Sequence, residues 1–196
     1  MNRFLKLKAV VIAAILASLT IASVLTQHPK AAVLTNPKPI VASIAKQSYR
    51  GLPVRLVIPA INVDTTIEYV GNNASGDMDT SKSATDVAWY KYGALPGDPG
   101  SAVIAGHVVG SSGQAGVFID LAKLQKGDII SVIDAKGLSA SFTVRLSQTY
   151  DPSQTDSEVF NSSSGTHLNL ITCSGDWDAT SRHYLSRLVV FADKTS

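Results

Sequence analysis

Residues 129–150 read IISVIDAKGLSASFTVRLSQTY, and this stretch decides the fold class. It contains two runs, 129–134 and 139–150, that are rich in β-branched and aromatic residues. The tripeptide Ala135-Lys136-Gly137 separates them, and glycine is a strong turn signal. The stretch therefore predicts two β-strands that are joined by a tight turn.

Short runs of the same kind, separated by turn residues, continue on both sides of this stretch from about Leu52 onward. They predict five further strands, at 54–58, 65–70, 101–105, 167–172 and 187–192. One segment, 117–124, has apolar residues at helical spacing and predicts a helix of about two turns. Many short strands with little helix favour a mostly-β, closed barrel over a sheet with helical crossovers.

The N-terminus carries the pattern of an export signal. Residues 9–25, AVVIAAILASLTIASVL, are uncharged and mostly apolar, and Arg3, Lys6 and Lys8 precede them. Positive residues before such a run predict a cytoplasmic N-terminus with the rest of the chain outside. Val24 is a poor final residue for signal-peptide cleavage, so we favour an uncleaved, single-pass transmembrane anchor over a cleaved signal peptide.

This pattern divides the chain into three parts. Residues 1–26 are expected to form a cytoplasmic stub and the transmembrane anchor. Residues 27–51 contain three prolines and no sustained periodicity, which is typical of an extended extracytoplasmic linker. Residues 52–196 then form one globular domain, a normal size for a single hydrophobic core.

The charge distribution argues against a nucleic-acid-binding domain. No acidic residue precedes Asp64, although eight basic residues lie in that part of the chain. From Asp64 onward nine basic residues face fifteen acidic ones, a net charge of −6. The globular part is therefore mildly acidic, whereas a nucleic-acid-binding domain carries its basic patch on the fold itself.

The chain has a single cysteine, Cys173, at the end of a predicted strand. One cysteine cannot form an intramolecular disulfide, and a lone thiol in an exported protein is a candidate reactive group. The alternative is a small buried apolar residue with no chemistry.

Two further residues have the chemistry that a reactive thiol needs. His107 follows the predicted strand 101–105, and it could favour the thiolate and protonate a leaving amine. Arg187 begins another predicted strand, and its guanidinium could stabilise an oxyanion. Composition alone does not establish that the three residues meet. The competing residues are His28, His167 and His183 for the proton transfer, and Arg182 for the oxyanion.

Three motifs in this order resemble those of the sortase family. Residues 97–107 (GDPGSAVIAGH) are similar to the segment that leads to the sortase histidine, residues 170–173 (LITC) to the strand that ends in the nucleophile, and residues 187–190 (RLVV) to the strand that carries the arginine. The separations of 66 and 14 residues also match. The resemblance covers about residues 54–192 and is greatest to the class F sortases.

The resemblance implies an eight-stranded sortase β-barrel with one or two short helices, and a cysteine transpeptidase. Such an enzyme cleaves an LPXTG-type sorting signal and holds it as a thioacyl-enzyme. It then passes the sorted protein to an amine, commonly on a peptidoglycan precursor. By this resemblance Cys173 attacks, His107 transfers protons, Arg187 steadies the oxyanion and Thr172 supports the oxyanion or the peptide. Residues 151–166 correspond to the substrate-recognition region.

Neither a cofactor nor a metal site is expected. The acidic residues Asp77, Asp79 and Asp86 are interpreted as solvated loop charges rather than the calcium site of some class A sortases. Residues 174–186 depart from the family pattern because they are unusually polar, which bears on peptide access or on the choice of nucleophile.

Two other functions remain possible from the sequence. One is a membrane-tethered β-barrel that binds a ligand without catalysis. The other is an L,D-transpeptidase-like cell-wall enzyme, although the residues around Cys173 do not match the cysteine motif of that class.

Overall fold

The computed structural model describes residues 51–152, 157–162 and 164–195. Eight strands form the fold. They are β1 (Pro53–Ile58), β2 (Val63–Val70), β3 (Val87–Tyr90), β4 (Gly100–Gly106), β5 (Ile129–Asp134), β6 (Ser139–Tyr150), β7 (Thr166–Asp178) and β8 (His183–Lys194). One α-helical turn, α1 (Ser157–Phe160), and two 3-10 turns, Pro59–Ile61 and Leu121–Lys123, complete the described elements.

The strands close into a barrel in the order β1-β2-β3-β4-β7-β8-β6-β5. Two neighbouring pairs, β2 with β3 and β4 with β7, run parallel, and the other pairs are antiparallel. Closure leaves no unpaired strand edge, the usual weakness of a mostly-β domain. The predicted closed, eight-stranded, mostly-β barrel is confirmed.

Side-chain alternation along β7 separates the interior of the barrel from its outer face. Leu168 and Leu170 are fully buried and belong to the central core cluster, as expected for inward-facing positions. Asn169 and Ile171 therefore face outward, and the same alternation places Cys173 on the outer face.

The outer face of β4, β7 and β8 is not left open to solvent. Val103, Val189 and Phe191 form a second buried cluster there, together with Val159 of α1. The amide Nδ2 of Asn169 donates a hydrogen bond to the carbonyl of Val159 at 2.6 Å. The helical turn thus covers part of the outer face of the sheet, next to the strands that carry the candidate site.

Three local predictions were wrong. Residues 117–124 do not form a two-turn helix, since only the short 3-10 turn Leu121–Lys123 occurs there. Strand β3 was missed because its four residues are nearly all buried and show no alternation. Strands β7 and β8 also run well beyond their predicted ends, through the polar segment that follows Cys173.

The predicted anchor at 9–25 and the predicted linker, up to residue 50, lie outside the described residues. Within the part of the chain that is described, no helix is both long enough and apolar enough to cross a bilayer.

Candidate active site

Parallel pairing of β4 with β7 brings two distant parts of the sequence to one end of the barrel. The last paired residues are Ala105 and Ile171. His107 and Cys173 each follow two residues further along the same direction, so both lie at this end. Cys173 is partly exposed and is the free thiol of the chain.

Arg187 lies directly opposite Cys173 in the antiparallel pairing of β7 with β8. On the other side of β8, Arg187 is opposite Tyr150 of β6. Residues directly opposite one another across a sheet point to the same face. Cys173, Arg187 and Tyr150 therefore form a row on the outer face, at the end of the barrel where His107 lies.

The Arg187 guanidinium is half-buried and already partly held. Its Nη1 donates to the carbonyl oxygens of Tyr184 at 3.1 Å and Ser186 at 3.0 Å. A guanidinium carries five N–H donors, so these two bonds leave further donors for another acceptor. The strand that carries Arg187 thus also fixes the direction of its side chain.

Thr172 precedes Cys173 but faces the opposite side of the sheet. Its side chain is almost fully buried, and its hydroxyl donates to the carbonyl of Gly106 at 2.7 Å. Gly106 is the residue before His107. The bond therefore joins β4 to β7 next to the candidate residues His107 and Cys173, while the oxyanion role expected of Thr172 stays a prediction.

His107 is held at both its ring and its backbone. The ring atom Nε2 lies 2.9 Å from the carbonyl oxygen of Ser81. The backbone carbonyl of His107 accepts a hydrogen bond from Phe118 N–H at 2.9 Å. Gly116 passes so close that a Cβ there would lie 2.2 Å from the His107 carbonyl oxygen. This position therefore has no room for a side chain, because any would push His107 out of place.

The competing residues lie elsewhere. His167 is near the start of β7, where its Nδ1 is 2.7 Å from Asp193 Oδ1 and its Nε2 is 2.6 Å from Ser164 O. His183 pairs with Asp178 at the far end of the β7–β8 hairpin, and Arg182 lies in its turn. His28 lies outside the described residues. Of the histidines that the structure describes, only His107 lies level with Cys173 on an adjacent strand.

The polar segment 174–186 is an extension of β7 and β8 beyond the barrel. Asp178 caps its turn, accepting hydrogen bonds from Thr180 N–H at 2.9 Å and from the Ser181 hydroxyl at 2.7 Å. The bond from the Ser181 hydroxyl is the main cause that holds the pKa of Asp178 below its ordinary value. Trp177 and Tyr184 pack edge to face at 5.1 Å between ring centroids. The segment is thus an ordered hairpin next to Cys173.

Within the described ranges, no three His, Cys, Asp or Glu side chains come close enough together to hold a metal ion. Asp77 and Asp79 are exposed in the connection between β2 and β3. Asp77 N–H donates to the side chain of Asn73 at 3.1 Å, and Asp79 Oδ1 accepts from Thr80 N–H at 2.9 Å.

Three residues near the site were not identified from the sequence. Ser81 contacts His107 through a backbone carbonyl, which every residue type has, so its side chain offered no clue. Tyr150 lies beside Arg187 because of the register in which β6 pairs with β8, and the sequence alone does not reveal that register. Asn169 is a polar residue in an apolar run, LNLIT, and that departure from the pattern was the one clue available.

The domain is similar to known proteins in sequence and in fold. The model of the sortase domain family matches residues 56–195. Among solved structures, the chain is similar to sortase C-1 from Actinomyces oris (formerly Actinomyces naeslundii), with 28% sequence identity and a TM-score of 0.58. That match covers 74% of this chain and 75% of the other.

Two more distant structures share the fold. Sortase A from Corynebacterium diphtheriae matches with 21% identity and a TM-score of 0.58, over 76% of this chain and 63% of the other. Sortase C from Clostridium perfringens SM101 matches with 21% identity and a TM-score of 0.54, over 76% of this chain and 72% of the other. No curated protein sequence matches the chain. The residues covered by the family model include His107, Cys173 and Arg187.

Proposed function

The chain belongs to the sortase family, whose members are cysteine transpeptidases, and from this premise we propose its reaction. It cleaves an LPXTG-type sorting signal through a thioacyl-enzyme on Cys173, and transfers the sorted protein to an amine nucleophile of the cell envelope. The observation that supports this most directly is the arrangement at one barrel end, where Arg187 lies opposite Cys173 and His107 directly follows the neighbouring strand.

The first half of the reaction forms a thioester. The Cys173 sulfur, as thiolate, attacks the carbonyl carbon of the threonine in the sorting signal, and the carbonyl electrons move to oxygen. When the tetrahedral intermediate collapses, the C–N bond breaks and His107 gives its proton to the departing amine. The threonine carbonyl then remains attached to sulfur as an acyl-enzyme.

The second half transfers the acyl group. An incoming amine attacks the thioester carbonyl, and His107 takes up the proton that the new amide nitrogen loses. The C–S bond breaks and the thiolate leaves. No redox partner is needed, because no atom changes its oxidation state: the departing amine leaves with the proton from His107, and the incoming amine supplies the proton that replaces it.

Arg187 is placed to act on the oxygen that becomes negative. It occupies the same face as Cys173 on the adjacent strand and stays charged throughout the reaction. Its N–H donors beyond those bound to Tyr184 and Ser186 serve the substrate carbonyl in this proposal. Donors that are already oriented before the reaction stabilise the intermediate without reorganisation.

The peptide is proposed to approach along the apolar outer face that continues from Cys173. Ile171, which is only partly buried, lies one pair of positions back from Cys173 on the same face and packs against the cluster that α1 covers. An extended peptide can bury alternate side chains on such a surface. This assigns α1 and its connections to substrate recognition, as the sequence resemblance implied.

We further propose that residues 9–25 anchor the enzyme in the cell membrane, with the barrel on the extracytoplasmic side. Its partners are then LPXTG-type proteins and an amine acceptor such as a peptidoglycan precursor. The class F prediction rests on the sequence, since the matched structures described above are of sortases A and C.

The decisive experiment is a peptide-library screen by intact-protein mass spectrometry. We expect LPXTG-type peptides to leave a thioacyl mass on Cys173 and to release their C-terminal fragment. Cys173→Ala should abolish both the adduct and the cleavage while keeping the fold. A barrel that only binds its ligand would show no adduct in the wild type and equal peptide affinity in the two proteins, and this result would refute the proposal.

A further inference from the structure

Ser81 is a buried polar residue in an otherwise exposed connection. It lies between β2 and β3 and is only 4% exposed, whereas its neighbours Thr80 and Lys82 are exposed. Its carbonyl oxygen is the atom that lies 2.9 Å from Nε2 of His107, a residue 26 positions away in the sequence. A buried serine that presents its backbone to the histidine of the site invites a functional explanation.

The Ser81 side chain fixes the backbone around it. Its hydroxyl lies 2.9 Å from the carbonyl oxygens of both Ser83 and Asp86, so that its single proton is shared between two acceptors. These bonds fold residues 81–86 into a compact turn. The turn directs the Ser81 carbonyl away from its own hydrogen bonds and toward His107.

The same turn is tied to the other side of His107. Val117 N–H donates to the carbonyl of Ala84 at 2.8 Å, and the next residue, Phe118, donates its N–H to the carbonyl of His107. The Ser81 turn and the 116–118 turn therefore hold the histidine between them, one at the ring and one at the backbone. Displacement of either turn would move the ring.

The Ser81 carbonyl determines which nitrogen of the His107 ring carries the proton. A carbonyl oxygen can only accept a hydrogen bond, so Nε2 must carry a proton in order to bond to Ser81. In the neutral imidazole the other nitrogen, Nδ1, then holds the lone pair. No hydrogen bond of Nδ1 is found among the described residues, so this atom is available for proton transfer.

We propose that Ser81 is a positioning residue for His107: its carbonyl holds the ring as the Nε2–H tautomer and leaves Nδ1 as the atom that exchanges protons in the reaction. This inference rests on the proposed function. The S–H bond of Cys173 breaks as an N–H bond forms at Nδ1. The proton then moves from Nδ1 to the departing amine nitrogen, while Ser81 keeps its bond to Nε2–H throughout.

The first test uses variants of the Ser81 side chain. Ser81→Ala removes both hydroxyl bonds and frees the carbonyl to turn away. We expect kcat for acyl-enzyme formation to fall roughly 10- to 100-fold, the range typical for the loss of a hydrogen-bond partner that orients a metal-ligating histidine, with KM for the peptide unchanged. Ser81→Thr retains the hydroxyl and should restore most of the activity.

Ser83→Ala is the matched control. Ser83 lies in the same turn, but its hydroxyl bonds only to Thr85, and its carbonyl, which Ser81 uses, is kept. We expect this variant to have wild-type kcat. If kcat falls equally in Ser81→Ala and Ser83→Ala, or if only KM for the peptide changes, then the turn has a merely structural role and the proposal is overturned.

The second test reads the tautomer directly and does not depend on any variant folding. Long-range proton–nitrogen correlation spectra of the wild-type protein, recorded where His107 is neutral, should show the proton on Nε2. In a folded Ser81→Ala variant the signal should move toward a mixture of tautomers. A wild-type ring with its proton on Nδ1 would disprove the inference.

The two proposals fail in different ways. Absence of the thioacyl mass in the wild type would refute the transpeptidase function itself. A normal thioacyl mass together with an unchanged rate and tautomer in Ser81→Ala would leave that function intact and refute the role of Ser81 alone.

Discussion

Arg187 lies directly across the strand pair from Cys173, at the point where β7 and β8 leave the barrel wall. The two side chains share the outer face, and the guanidinium is braced by the carbonyls of Tyr184 and Ser186 in its own strand. In the proposed reaction this guanidinium is placed to stabilise the oxyanion. The geometry of this pair leads to the first prediction.

Replacement of Arg187 by lysine should not preserve activity. Lysine keeps the charge but has neither the planar set of donors nor the reach to hold two carbonyls and a substrate oxygen together. We expect kcat/KM for an LPXTG-type peptide to fall about 100-fold or more, as when one oxyanion donor is lost. Arg182→Lys, in the turn of the same hairpin, is the matched control and should cleave at the wild-type rate. Full activity in Arg187→Lys would rule out the planar-donor role.

Loss of the Thr172 hydroxyl should destabilise the barrel, because this hydroxyl joins β7 to the end of β4. Thr172→Val keeps the shape of the side chain but leaves the Gly106 carbonyl without this donor. We expect the free energy of unfolding to fall by about 1–3 kcal/mol, measured by urea denaturation. The free energy of unfolding of Thr172→Ser should fall by less, since the serine hydroxyl can still reach the Gly106 carbonyl. Equal stability of the valine variant and the wild type would contradict this account.

Replacement of Asn169 should weaken peptide binding without changing the alkylation rate of the Cys173 thiol. Asn169→Leu has a similar size but cannot donate to the carbonyl of Val159, so α1 loses its hydrogen bond to the sheet. We expect a higher KM for the peptide and an unchanged rate of Cys173 alkylation by a small reagent such as iodoacetamide. If the alkylation rate falls as much as peptide cleavage does, the effect is on the site as a whole and the assignment of α1 to substrate recognition is wrong.

The stability of the hairpin turn at Asp178 should decrease as the pH falls. Because the Ser181 hydroxyl and the Thr180 N–H favour the ionised carboxylate, the pKa of Asp178 is lower in the folded turn than in the unfolded chain. A lowered pKa stabilises the turn above the unfolded value of about 3.9, and this contribution disappears as the pH falls through the folded value.

Amide hydrogen exchange of Thr180 and Ser181, corrected for the intrinsic effect of pH, should measure this change. Protection should be lost on acidification in the wild type and be low at every pH in Asp178→Ala, which has no side-chain acceptor. Protection in the wild type that persists unchanged below the folded pKa would contradict the capping role.

The class of fold was predictable from the sequence because most strands alternate inward and outward residues, as β6 does between Ser139 and Val144. Strand β3 escaped detection since nearly all of its residues are buried, which removes the alternation. The helix expected at 117–124 is replaced by successive turns, because the N–H groups of Leu121, Lys123 and Leu124 bond to the carbonyl three residues earlier rather than four.

The candidate site was predictable only in part. Cys173 could be singled out as the one thiol, and the family motifs pointed to His107 and Arg187. The relation of Ser81 to His107 could not be predicted, because it uses a main-chain atom and joins segments 26 residues apart. The extension of β7 through Gly175 and Asp176 was equally hidden, since a hairpin beyond the barrel wall needs no apolar face.

The parallel pairing of β4 with β7 also has a consequence for the stage of folding at which the candidate site forms. His107 and Cys173 are 66 residues apart, and a parallel pair cannot be closed by a local turn. Contacts of such sequence separation form slowly, because loop-closure entropy must be overcome first. Arg187 arrives with the last of the eight strands. A partly folded or truncated chain therefore lacks the arrangement of His107, Cys173 and Arg187, and the proposed reaction requires that the whole barrel has assembled.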